Sequence, residues 1–233
     1  MKLAFSWDDG APQDQRLFEL HEKYQIPGMF FVPTYNREGR EVLTSGTIRN
    51  AESEYVQFGG HTYNHVYLTE LSIQDAQKEA LDNKRYLEDT LGHPIEHFCL
   101  PGGKYNQEIV DMLYQHFKTI RTADTMNFRY EGGLLKPAFH FYPRGIKSLL
   151  GNGLRQKSFK ELGFVLSNMK TDYFKLMREM ILRDQDQNKV IMIWGHSWEI
   201  EKLGLWEELE DLFRFVSTEM SDNIVAYRKV YGE

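Results

Sequence analysis

The stretch LAFSWDDGAP, residues 3–12, decides the fold. A mostly apolar run, Leu3–Trp7, reads as a buried strand and ends at once in two adjacent carboxylates and a glycine. Asp8 and Asp9 repel each other if both are ionised and close. A chain that keeps such a pair at a strand end needs a cation to hold it or a proton to share. Neighbouring side chains of a regular strand point to opposite faces, so the pair must sit where the strand breaks into a loop. Gly10 permits that turn.

Outward from this stretch, short β-rich runs alternate with longer helical patterns. Strands are expected at 2–7, 28–33, 55–60, 97–101, 118–123, 189–196 and 223–230. Residues 13–25 carry Leu17, Leu20 and Tyr24 at helical spacing. Residues 72–92 begin with a Ser72 cap and stop at Gly92, and 106–117 and 205–220 repeat the apolar stripe. Such alternation predicts a mostly parallel sheet with helices outside, open or closed as a barrel. No repeat or linker divides the chain, so one domain spanning 1–233 is expected. Residues 126–189 are too long for one strand–helix unit. A strand at 139–145 and helices at 158–169 and 172–184 fit there, as an insertion that builds a pocket rim.

Composition narrows the function. With 41% hydrophobic and 27% charged residues, the chain is an ordinary globular protein. A formal net charge of −6, with no basic block, argues against nucleic acid as a partner. Cys99 is the only cysteine, so no disulfide can form within the chain. The first residues are too short an apolar run for a signal segment or membrane span, so a cytoplasmic location and no membrane partner are expected.

The polar residues gather where strands end, and that edge of a parallel sheet is where sites form. His61 and His65 stand four residues apart, close enough on a helical turn for both imidazoles to reach one cation. A carboxylate from the first strand end would complete two His and one Asp, with a position left for water. One aspartate would bind the metal and the other would stand free as a base.

At these residues the sequence resembles the polysaccharide deacetylase family, carbohydrate esterase family four. SWDDG resembles its T-F-D-D-G motif and HTYNH its H-[ST]-x-x-H metal motif. CLPGG resembles R-x-P-x-G with the arginine replaced, and WGH resembles L-x-H. The resemblance implies a distorted (β/α) barrel of about seven parallel strands. It implies Asp8 as base, Asp9, His61 and His65 as metal ligands, and His196 as the acid that protonates the leaving amine. The Gly102 backbone N–H would bind the oxyanion, and Pro101 beside it would contact substrate. The cofactor implied is a divalent metal, zinc first, with cobalt, nickel and manganese as alternatives. The substrate would be an N-acetylated (or O-acetylated) amino sugar, oligosaccharide or polysaccharide.

Two departures matter. Cys99 stands where the family has an arginine that orients the base, and Arg121, at the next strand end, is the candidate replacement. The aspartate that orients the acid histidine would be Asp124, with Glu199 as the other candidate. Trp198 is the tryptophan expected at the substrate, Trp194 is expected in the core, and Trp206 also follows His196. His140 and Arg144 are either a rim or a structural pair. Two other functions remain open on the same scaffold: hydrolysis of a non-sugar linear or cyclic amide, and a catalytically silent carbohydrate-binding protein.

Overall fold

The structure, a computed structural model, describes residues 1–129, 132–183 and 189–230. In chain order its elements are β1 (Lys2–Asp8), α1 (Asp14–Tyr24), β2 (Gly28–Val32), α2 (Ser45–Ala51), β3 (Val56–Gly60), α3 (Ile73–Leu91), β4 (His97–Cys99), α4 (Gln107–Tyr114), β5 (Thr119–Arg121), β6 (Leu134–Leu135), β7 (Phe139–His140), α5 (Ile146–Arg155), α6 (Phe159–Ser167), α7 (Tyr173–Arg183), β8 (Val190–Gly195), α8 (Ser197–Leu203) and α9 (Trp206–Glu219). The strands form one parallel sheet in the order β6-β5-β4-β3-β2-β1-β8-β7, the curled sheet of a distorted (β/α) barrel.

The sheet has eight strands where about seven were expected. The two-residue strands β6 and β7 are joined by only Lys136, Pro137 and Ala138. Leu135 pairs with Arg121 of β5, whereas the Ala138 N–H and Phe139 already pair with β8. One extended pass, 134–140, therefore changes partner at Pro137, which has no N–H to donate. That pass carries the chain from one edge of the sheet to the other.

Residues 223–230 are not a strand. Central β1 lies between β2 and β8, but its pairing with β2 begins only at Phe5. This leaves Lys2–Ala4 without a β2 partner, and Leu3 there bridges to Ile224, with Val225 N–H donating to the Leu3 carbonyl. The chain then turns through a short 3-10 turn at Tyr227–Lys229, with Tyr227 buried. The segment therefore touches the sheet at one residue and does not add a strand to it.

Helix α3 shows why the sequence folds locally as it does. The Ser72 hydroxyl accepts from the Asp75 N–H, Gly92 takes φ +81° at the C-terminal end, and Ala76, Ala80, Asn83 and Leu87 form its buried face. Helices α2, α5 and α8 were not expected; the first two are short or interrupted by glycine, and α8 follows directly on the strand end at His196. Of the helix expected at 172–184, Asp184 lies outside the described residues. Beneath the site, Trp7 Nε1–H donates to His21 Nε2 at 2.7 Å, so His21 must use Nδ1–H toward the Ile26 carbonyl. Burial pulls the His21 pKa down to about 4, which keeps it neutral in this role. Among the described residues, no helix is long and apolar enough to cross a membrane.

Candidate active site

The parallel register brings the strand ends to one level. Trp7 pairs with Gly195, Val32 with Gly60, and Cys99 with Arg121. The residues that follow them, Asp8–Asp9, His61 and His196, therefore meet over the same end of the barrel. They line a cleft of about 270 Å³ with Arg40, Tyr67, Gly102, Arg144, Trp194 and Trp198.

The break after β1 is sharp. Asp9 takes φ +78° and Gly10 φ +59°, and a Cβ at Gly10 would come within 2.5 Å of Val32 Cγ1. Asp9, Thr62 and His65 all hold left-handed backbone that is costly for residues with a side chain, which is strain gathered at one site. His61 and His65 accordingly lie on an irregular loop and share no helical face, yet their rings stand 5.0 Å apart.

Asp9 Oδ1 lies 3.0 Å from His65 Nε2 and 3.5 Å from His61 Nε2. Its other oxygen accepts from Trp198 Nε1–H at 2.9 Å and Arg40 Nη1 at 3.1 Å, which turns Oδ1 toward the imidazoles. Burial opposes the charge on Asp9, but hydrogen bonds from His61 and His65 hold its carboxyl well below the usual range. His61 Nδ1 lies 2.8 Å from the Cys99 carbonyl, which orients the ring with Nε2 toward Asp9. His65 Nδ1 stands 3.4 Å from the Asn36 amide. Buried Asn83 accepts from the His61 N–H and donates to the Val32 carbonyl, tying β2 to the metal-motif loop. Asp9, His61 and His65 thus offer three converging donors, one carboxylate oxygen and two imidazole nitrogens, that fit a divalent cation of the zinc type.

Asp8 faces Arg121. The guanidinium is fully buried, donates to Asp8 Oδ1 and to the Thr122 carbonyl, and lies over the rings of Phe31 and Trp194 at 5.3 and 4.8 Å. Burial works against an ionised Asp8, but Arg121, with His61 and His196, outweighs it and lowers the pKa. Cys99 and Arg121 are Cα partners in adjacent strands, so an arginine shifted one strand along reaches the same carboxylate. Cys99 itself is a buried thiol 3.5 Å from Asp8 Oδ2, its pKa pushed well up by burial, which is the opposite of an activated nucleophile.

His196 stands on the other side, its Nε2 4.0 Å from Asp9 Oδ2 and its Nδ1 2.6 Å from Glu199 Oε2. Asp124 is not beside it: Asp124 accepts from the Tyr105 hydroxyl at 3.1 Å and lies 3.7 Å from Lys136 Nζ. Glu199 has the shorter path because α8 begins at Ser197 and carries residue 199 back over the strand end within one turn. Gly102 lines the cleft with φ +59°, where a Cβ would come within 2.6 Å of Tyr67; Pro101 is buried behind it and does not line the cleft. Trp198 is in the cleft with its N–H committed to Asp9. Trp194 is buried in β8 and also forms the cleft floor, whereas Trp206 lies away, bonded to Glu201 and covered by Arg16. Sequence reasoning missed Arg40, Asn36 and Asn83. Asn83 left one trace, a polar residue on the buried stripe of α3.

The polysaccharide deacetylase family model matches residues 2–117, the part that holds D-D-G, both histidines and Gly102. The chain belongs to the polysaccharide deacetylase family. It is 24% identical to a peptidoglycan-N-acetylglucosamine deacetylase of Bacillus cereus over 123 residues, 52% of this chain and 52% of that protein. The match thus spans about half of the relative's length. A structure from Mycobacterium smegmatis assigned to the polysaccharide deacetylases superposes with a TM-score of 0.65 at 14% identity, covering 98% of this chain and 88% of the other. A CE4 family pseudoenzyme from Bacillus anthracis superposes with a TM-score of 0.55 at 12% identity, covering 96% and 65%. At such identities the likeness is one of fold. Arg121, His196 and Glu199 lie beyond the matched residues, so their roles rest on this family member's own geometry.

A buried carboxyl lies under the cleft. Asp14, the first residue of α1, is 1% exposed and faces Ser197. Burial pushes its pKa well above the usual value; Ser197 opposes the shift and the Asp9 and Asp8 charges add to it. Folded protein therefore holds this proton to a higher pH than the unfolded chain, and stability falls as pH rises between the two values. Asp14→Asn is expected to raise Tm by about 3–6 °C near pH 8 and to give no gain near pH 3, measured by thermal unfolding at both.

Proposed function

We propose that this family member is a metal-dependent hydrolase that removes acetyl groups, foremost N-acetyl, from an amino sugar, oligosaccharide or polysaccharide. One observation carries the reading: a carboxylate held by a buried arginine and a histidine held by a glutamate flank the Asp9–His61–His65 group across one cleft.

Asp9, His61 and His65 would hold the metal, zinc in preference to cobalt, nickel or manganese. Bound there, a divalent cation acidifies water and polarises a carbonyl oxygen, which amide hydrolysis at neutral pH requires. Asp8 keeps Oδ1 on Arg121 and turns Oδ2 to the reaction, where it takes the proton of the attacking water. The new bond is C–O, and the negative charge falls on the former carbonyl oxygen, toward the Gly102 N–H. The C–N bond then breaks, and His196 gives the Nε2 proton to the departing nitrogen, since an amide anion is too poor a leaving group. Acetate and the free amine are the products.

Metal analysis of the purified protein tests this, with acetate release from an acetylated chito-oligosaccharide before and after chelation. The expected result is about one divalent ion per chain, lost in Asp9→Ala and His65→Ala, and acetate release that stops on chelation. Bound metal without acetate release from any acetylated sugar would move the reading to another amide. Absence of bound metal under zinc loading would overturn it.

A further inference from the structure

The proposed reaction leaves His140 and Arg144 unused, although the His140 ring stands edge-on to its acid, with centroids 5.5 Å apart. His140, at the end of β7, is 2% exposed. Its ring lies flat on Trp194, with centroids 4.0 Å apart and planes 10° apart, and nearly parallel to Tyr142. Its Nδ1 is 2.8 Å from Arg144 Nη2, and its Nε2 is 2.8 Å from Glu199 Oε2. The same Glu199 oxygen lies 2.6 Å from His196 Nδ1.

The protons in this chain can be assigned from what each group is able to do. A guanidinium only donates, so Nδ1 of His140 must accept. Burial lowers the His140 pKa to about 4, so the ring is neutral and its one proton sits on Nε2, facing Glu199. The approach is oblique for a hydrogen bond, so the attraction is that of a carboxylate for a nearby N–H dipole. Glu199 is held at about 2 despite its burial, by His140 and His196, and as a carboxylate it only accepts. His196 must then present Nδ1–H to it, which leaves Nε2 toward the cleft.

We propose that His140, its own proton placed by Arg144, is a positioning residue that pins Glu199 and thereby fixes the tautomer of His196. Arg144, exposed on the rim of the cleft, sets a hydrogen-bond direction that ends at the nitrogen facing the scissile bond. The catalytic meaning of this rests on the reading of His196 as the acid. The tautomer itself does not.

The test reads both. Long-range proton–nitrogen correlation spectra of histidine-labelled protein, at alkaline pH where the imidazoles are neutral, report which nitrogen carries each proton. Wild type should show His196 as the Nδ1–H form and His140 as the Nε2–H form. His140→Phe should mix the His196 tautomers and lower kcat about tenfold with KM nearly unchanged, the scale of losing an outer-shell partner. His140→Gln should retain both properties, because an amide oxygen can accept from Arg144 while its NH₂ donates to Glu199. Arg144→Ala, on an exposed loop, should move the spectra and kcat in the same direction without disturbing the core. An unchanged His196 tautomer in both His140→Phe and Arg144→Ala would overturn the proposal, as would His140→Gln behaving like His140→Phe. If wild-type protein releases no acetate, the deacetylase reading fails and the spectra alone decide this one.

Discussion

Arg121→Met is expected to lower kcat about a hundredfold while the metal content of the protein stays normal. Asp8 is buried, and burial alone would keep it protonated. Arg121, ahead of His61 and His196, lowers the pKa and would leave Asp8 ionised to take a proton. With Met in its place the pKa of Asp8 rises, and the pH at which the base becomes active moves up with it. Stability follows the same pair. A carboxyl whose folded pKa is depressed stabilises above the unfolded value and loses that contribution as pH falls through the folded one. Without Arg121 the contribution reverses, and breaking a buried pair by removing one partner costs about 3–5 kcal/mol near neutrality. The double variant Asp8→Asn/Arg121→Met should recover most of that stability and none of the activity. The exchange Cys99→Arg/Arg121→Cys should restore part of kcat, because the two positions are neighbours in register. Turnover of Arg121→Met near the wild-type rate, with metal bound, would remove Arg121 from the reaction.

The contact between Arg121 and Asp8 shows what a sequence can and cannot carry. D-D-G and the two histidines were legible because each group sits within one short piece of chain. Arg121 was legible only as a candidate, since strand register, not spacing, puts it beside Cys99. Parallel strands joined by helices of different lengths have no sequence mark for register. Arg40 and Asn36, on the loop after β2, and Asn83, on α3, reach Asp9, His65 and His61 from two separate segments, and only Asn83 breaks a local pattern. The strand expected at 223–230 failed for a related reason: its residues suit a strand, but the segment meets β1 only at Leu3 and then turns away at Tyr227–Lys229. Asp124 is the candidate that the family resemblance suggests, whereas the first turn of α8 returns Glu199 to His196 over a much shorter path.

His196→Phe is expected to lower kcat about a thousandfold with metal content unchanged, since the amine then leaves without its proton. Glu199→Gln probes the same step more finely. Burial alone would lower the pKa of His196; the Glu199 hydrogen bond, with Asp9 and the Glu199 charge, raises it. A raised value means the acid form persists to higher pH, and the rate falls as pH climbs through it. The ion pair also stabilises the fold below the unfolded histidine value, and that contribution is lost as pH rises through the folded one. Removing the carboxylate charge lowers the His196 pKa whatever else is bound nearby. The alkaline limb of kcat against pH should therefore move down by about one unit in Glu199→Gln. Asp124→Asn should leave that limb in place, because its carboxylate is spent on Tyr105 and Lys136. A limb that moves in Asp124→Asn and stays fixed in Glu199→Gln would return the orienting role to Asp124, against the 2.6 Å contact between Glu199 and His196.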